Sequence, residues 1–222
     1  MRHIVITGTT RGLGAALVDE ILSVPHTRVL ALARHFTAAQ QADPRITTRH
    51  CDLSDPATLP DAAEFAGFLG GAAVGVLINN AAVVEPVGAI GSLSSDQLAR
   101  AVTVNLAAPL LLTNAFLAGQ PPGQEARVLF VSSGAAHRVI QNWSAYSATK
   151  RGAEEFFTHL AGERPDIAVA IISPGVIDTG MQATLRRSEF PDHQLFVDRY
   201  KRGELRPARV VAAEIAAAHV AA

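Results

Sequence analysis

The chain has 222 residues and a mass of 23.3 kDa, enough for one well-cored domain and too little for two of ordinary size. An apolar fraction of 49% and a mean hydropathy of +0.22 exclude a disordered chain, while 19 basic against 20 acidic residues leave no net field to hold a nucleic acid or an anionic bilayer. A single cysteine excludes an internal disulfide, no uninterrupted apolar run reaches the length of about eighteen residues that a membrane helix needs, and the N-terminus breaks into glycines before a signal core forms, so a soluble cytoplasmic protein is expected.

Short β-branched runs alternate with Ala-rich helical stretches from the first residues to about position 172. Strands are read at His3 to Thr7, Arg28 to Ala33, Ile46 to Asp52, Val74 to Asn79, Val128 to Ser132 and Ile167 to Ile172. Their near-continuous apolar character, as in VGVLIN and ARVLFVSS, suits strands covered on both faces, hence an α/β domain with an open, doubly wound parallel sheet of at least six strands. Helices fall near Leu13 to Val24, Leu59 to Leu69, Ser95 to Leu117 and Ala145 to Arg164, and Pro109 marks a kink or break in the third. From Val176 to Pro207 the sequence is polar and poorly periodic, as a substrate-covering loop with short helices would be, and no linker there divides 1–222 into two domains.

The strand HIVIT runs straight into GTTRGLG and then into the helical pattern AALVDEIL, which puts Gly8, Gly12 and Gly14 on a strand-to-helix turn. Glycines there let the backbone approach a pyrophosphate, and the free amides of a helix N-terminus favour the anion, so Thr10, Arg11 and Leu13 join the candidate loop. About twenty residues further on, where an acid would take the ribose 2′-hydroxyl of NAD, the strand ends in Ala33-Arg34-His35. Arg34, joined by Arg11, instead suits a 2′-phosphate, which points to NADP(H).

Tyr146 and Lys150 are four residues apart at the start of a helix, so both project from one face, and the chain holds only two Tyr and two Lys. A nearby ammonium lowers the pKa of a phenol by stabilising phenolate, so Lys150 is expected to make Tyr146 a usable acid. The strand ending FVSS delivers Ser132 and Ser133 to the C-terminal edge of the sheet, where open α/β proteins bind ligands and where a hydroxyl can orient a carbonyl. No metal-ligating pattern is assigned.

Together these strings resemble the short form of the short-chain dehydrogenases/reductases: TGTTRGLG, then NNAA at Asn79 to Ala82, VNL around Asn105, SS before YSATK, and PGVIDT at Pro174 to Thr179, in the family's order over essentially the whole chain. The resemblance implies a single Rossmann domain and an NADP-dependent carbonyl reductase with Ser133, Tyr146 and Lys150 as its triad. It adds Asn105, which completes a tetrad by holding a water in the proton relay. It also implies that Asp52 and Leu53 face the adenine, Asn80 and Ala81 the ribose, and Pro174, Gly175, Val176 and Thr179 the nicotinamide carboxamide, with Lys150 touching the ribose hydroxyls. The strings WSAYSATK and PGVIDTGMQ are most similar to the sepiapterin reductase and benzil reductase branch, which implies a ketone or diketone substrate. Trp143 is placed to wall an aromatic substrate and Met181, Leu185 and Phe190 to cover it, while His137 is read as a surface residue beside the site.

Two departures from the family pattern shape the remaining expectations. Ala82 stands where NNAG has its glycine, and the sequence stops at AAAHVAA, without the seventh C-terminal strand and the pterin-anchoring acid that the resemblance would place there. A homodimer through the long helices from Ser95 and Ala145 is therefore expected, with a tetramer as the alternative, and a native pterin role is not. The competing readings are a non-catalytic NADP-binding sensor on the same fold and a nucleotide-sugar epimerase or dehydratase.

Overall fold

The alternation of apolar runs and helical stretches produces, in a computed structural model that describes residues 1–188 and 190–221, one six-stranded sheet. The strands are β1 (Arg2–Thr7), β2 (Thr27–Ala33), β3 (Ile46–His50), β4 (Val74–Asn79), β5 (Glu125–Val131) and β6 (Ala168–Ile172). All pairs are parallel and the order is β3-β2-β1-β4-β5-β6, so the chain starts in the middle, builds outward to β3 and then switches to the other side of β1. In register, Ile4 lies between Val29 and Val76, and Leu129 opposes Ala170. The strand order reverses between β1 and β4, and a crevice opens beyond their carboxyl ends.

Successive strand residues point to opposite faces, so two apolar layers form. Ile4, Ile6, Val76 and Ile78 pack on one face with Leu17 and Ile21 of α1 (Gly12–Ser23) and with the C-terminal helix, while Val5, Leu77, Val128 and Phe130 face Phe65, Phe116 and Phe157 on the other. Phe130 and Phe157 stack at 4.7 Å between ring centroids, and Phe65 meets Phe116 edge-on at 5.8 Å. Phe65, Phe116 and Phe157 come from α3 (Ala62–Leu69), α5 (Ala108–Ala118) and α6 (Ser144–Glu163), α2 (Ala38–Ala42) being a short capped turn after β2. A capping box between Thr37 and Gln40 starts α2, which the sequence reading leaves out because five residues carry no periodicity.

α4 (Ser95–Val102) and α5 form one continuous rod with a π turn, Thr103–Ala107, between them. Pro109 does not break the rod as expected. It has no N–H for the carbonyl of Asn105 four residues back, and the helix widens to a π turn just before it, which accommodates the mismatch without a change of element. The rod also corrects the expectation about membrane-length segments. Ser95–Ala118 is by length and composition apolar enough to cross a membrane, although it is partly buried inside the protein, against α3 and α6.

The predicted helix from Leu59 begins instead at Ala62, because Pro56–Thr58 forms a separate 3-10 turn and Asp61 caps the helix through Glu64 N–H at 2.9 Å. Within residues 176–207 lie α7 (Gly180–Leu185) and α8 (His193–Lys201), followed by α9 (Ala208–His219), which packs along α1. A third apolar cluster sits above the sheet edge, where Trp143 lies 5.3 Å from Phe196 and 5.8 Å from Phe190.

Candidate active site

The turn after β1 is fixed by backbone requirements. Gly8 and Gly12 hold φ of +72° and +57°, the left-handed region that a side chain disfavours, and a Cβ on Gly14 would lie 2.0 Å from the Gly8 carbonyl oxygen. Thr7 ties this turn to the end of β4: its hydroxyl accepts the amides of Asn80 and Ala81, both at 3.0 Å, and Asn80 Nδ2 donates to the Thr7 carbonyl at 2.9 Å. No side chain caps the N-terminus of α1, so its first amides remain available to an anion. Exposed Arg11, Arg34 and Arg100 stand around this end, beside Asp52. Its carboxyl is held below the usual range by the hydroxyl and amide of Ser54, with Arg34 and Arg100 adding smaller contributions.

The chemical end is built by β5 and α6. Ser133 follows the last strand residues and caps the 3-10 turn Gly134–His137, its hydroxyl accepting from Ala135 N–H at 3.2 Å. Tyr146 lies in the first turn of α6 and is 5% exposed; Lys150, one turn on, is 2% exposed and donates to the Val131 carbonyl at 2.7 Å. Burial pushes the Tyr146 phenol above its ordinary value, with the Ser133 hydroxyl pulling the other way, and lowers Lys150 to about 7 against the opposing charge of Glu154. The expected lowering of the phenol by Lys150 is therefore not what this geometry gives. The ammonium lies 6.0 Å from the centre of the Tyr146 ring and is engaged by the Val131 carbonyl, and loss of water outweighs it.

One cleft of about 550 Å³ joins the two ends. Gly8, Thr10, Arg11, Gly12, Leu13, Gly14, Arg34, Asp52, Leu53, Asn80 and Ala81 line it, as do Ser133, Trp143, Tyr146, Lys150, Pro174, Gly175, Val176, Thr179 and Met181. Asn105 does not. It is fully buried in the π turn, where its side chain accepts from the Val83 amide at 2.8 Å and donates to the Val83 carbonyl at 2.7 Å and to Thr149 Oγ1 at 3.3 Å. Phe190 backs Trp143 and is not among the cleft residues, whereas Leu185 is. His137 points to Glu154 rather than into the cleft, at 2.8 Å.

Four of the cleft residues that the sequence reading passes over are Val84, Arg138, Ile140 and Phe196; Arg138 and Ile140 share one loop, and none carries a local signal. Glu154 is a fifth omission near the site, and its spacing of four from Lys150 on one helix face was visible.

The arrangement fits a dinucleotide at the glycine-loop end and a carbonyl at the Tyr146 end. A model of the short chain dehydrogenase family matches residues 2–189. A benzil reductase ((S)-benzoin forming) of Bacillus cereus is 31% identical over 97% of this chain and 92% of its own length, and the protein of that name from Bacillus subtilis (strain 168) is 31% identical over 91% and 85%. The crystal structure of the KRED1-Pglu enzyme matches with a TM-score of 0.89 at 30% identity, covering 99% of this chain and 95% of its own. The chain therefore belongs to the short-chain dehydrogenase/reductase family of nicotinamide-dependent oxidoreductases, close to its benzil reductase branch.

Proposed function

We propose that this oxidoreductase reduces a ketone or diketone carbonyl to the alcohol with NADPH, using Tyr146 as the proton donor. The observation that carries this reading is the cleft that brings Ser133, Tyr146 and Lys150 to one end of the glycine-loop groove and walls that end with Trp143, Met181, Leu185 and Phe196. Bound NADPH would be held by the loop from Gly8 to Gly14, with Arg34 and Arg11 on its 2′-phosphate and Pro174 to Thr179 at the nicotinamide, and would supply the hydride that reduces the carbonyl carbon.

Ser133 hydrogen-bonds the carbonyl oxygen and orients it. Tyr146, kept neutral by burial, gives its proton to that oxygen as negative charge develops there. Lys150, where protonated, favours the phenolate left behind. Asn105 is the residue we assign, on the family resemblance, to holding a water in the proton relay, its side chain being spent on Val83 and Thr149. The two bacterial relatives are named for forming (S)-benzoin from benzil, an aromatic diketone, and the aromatic wall suits a substrate of that kind.

The same reading takes residues 176–207 as the substrate cover. It takes the protein as a cytoplasmic homodimer joined through the rod and α6, where Val102 and Leu111 are exposed.

The test is Tyr146→Phe, assayed with NADPH and NADH in parallel against aromatic diketones, simple ketones and sepiapterin. The variant should bind NADPH as the parent does and lose turnover by about 100-fold or more, because it removes the proton donor and little else. Undiminished turnover overturns the assignment, and tight NADPH binding by a parent that reduces no carbonyl supports a sensor instead.

A further inference from the structure

Glu154 occupies an unusual place for a carboxylate. It lies one turn beyond Lys150 on α6, with its side chain only 8% exposed, and both of its oxygens are engaged. One accepts the hydroxyl of Ser132; the other faces His137 Nε2 at 2.8 Å. Ser132 is adjacent to Val131, whose carbonyl takes the Lys150 ammonium, and His137 closes the 3-10 turn that Ser133 opens. The carboxylate therefore holds a side chain on each side of Ser133, those of Ser132 and His137, while lying one helical turn from Lys150. A carboxylate this buried is stable only when partnered and hydrogen-bonded, and its partners here are the segments that carry the proposed chemistry.

We propose that Glu154 is a positioning residue that clamps the Ser133 turn through Ser132 and His137 and places a buried negative charge opposite the Lys150 ammonium. The inference rests on the reading of Ser133, Tyr146 and Lys150 given above. Burial draws Lys150 down to about 7, and Glu154 is the charge that opposes the fall. The other ionisable groups near the pair are few. Tyr146 and Arg151 share the helix, with Arg151 3.9 Å from the Glu154 carboxylate and 2.9 Å from His137 Nδ1. Glu155 and His159 pair with each other on its exposed face, Asp96 and Arg100 of α4 are exposed, and the π turn, α5 and the ends of β5 and β6 nearest Lys150 bring none.

The chain has two lysines, Lys150 and Lys201, so a protein labelled with carbon-13 at lysine Cε gives two resonances, and Lys150 can be titrated directly in the cofactor-free protein. In Glu154→Gln the Lys150 midpoint should fall by about one pH unit, the alkaline limb of reductase kcat should move down with it, kcat should drop about tenfold, and the Kd for NADPH should stay within about twofold. A folded Glu154→Gln with both the Lys150 midpoint and the limb unmoved overturns the charge role. His137→Gln, at an exposed side chain, keeps the carboxylate and releases one side of the clamp, so kcat should fall about threefold with the Lys150 midpoint retained. Ser132→Ala should behave in the same way from the other side. Parent kcat in both overturns the clamp, and this pair decides the matter if Glu154→Gln does not fold. Tyr146→Phe measured alongside separates the two readings: full turnover there removes the acid-base assignment and this inference together, whereas an inactive Tyr146→Phe beside a parent-like Glu154→Gln removes this inference alone.

Discussion

At the glycine-loop end of the cleft, six of the seven residues from Gly8 to Gly14 line the site, and the constraint on Gly8, Gly12 and Gly14 is backbone geometry. At the Tyr146 end the walls come from separate segments: Val84 after β4, Trp143 at the start of α6, Leu185 in α7 and Phe196 in α8. The first end is local and unforgiving, since φ above zero and a 2.0 Å approach admit glycine alone at the critical places. The second is held by packing between side chains, which tolerates exchange of one apolar group for another of similar volume. A family that keeps its cofactor and changes its substrate is expected to divide its site in this way.

The sharpest way to break the comparison is Gly14→Ala. The added methyl meets a backbone carbonyl and Asn80 Nδ2, neither of which can swing aside, so the variant should lose about 3 kcal/mol of stability and bind NADPH about 100-fold more weakly; parent-like affinity in a fluorescence titration would show that the loop tolerates a side chain. Next in size is Arg34→Asp. Reversing the charge at the 2′-phosphate end should shift the ratio of kcat/KM for NADPH over NADH by about 100-fold toward NADH, with the alcohol product unchanged. An unchanged ratio refutes the role of Arg34. The smallest effect belongs to Phe196→Leu. Its ring packs on Trp143 and on Phe190, at 5.4 Å from the latter, and the swap should cost about 1 kcal/mol in an equilibrium unfolding experiment. KM for an aromatic diketone should rise about fivefold while that for a small aliphatic ketone moves little. Equal changes for both substrates would mean that α8 acts on the fold and not on selection.

Five of the six strands were legible as largely apolar runs bounded by polar or turn-forming positions and β3 (ITTRH) by its β-branched residues, and the observed limits differ from those read by a few residues. Boundaries moved where local chemistry intervened, as at Asp61, which caps α3 after a 3-10 turn that periodicity does not register. Pro109 gave the right warning and the wrong outcome. Proline weakens the helix locally, but packing of the rod against α3 and α6 holds it continuous and leaves a π turn where a break was expected. Asn105 was found by motif, yet nothing in a linear string says that its side chain is spent on both backbone groups of Val83. The same holds for Tyr146 and Lys150: their spacing put them on one face, and only burial established that solvent exclusion dominates both ionisations.

Sequence alone determined what depends on near neighbours along the chain: the strand-loop-helix unit with its glycines, the Tyr146 and Lys150 pair four residues apart, and the order of these strings that marks the family. The tertiary structure decided what depends on residues brought together from far apart. It joined Val84, Trp143, Leu185 and Phe196 into one apolar wall, and it folded Glu154 between Ser132 and His137, 22 residues from the first of them. The physical reason is range. Dihedral preference, hydrophobic period and motif spacing act over a few residues and can be read in a line, whereas desolvation, ion pairing and packing depend on neighbours that only the closed fold supplies.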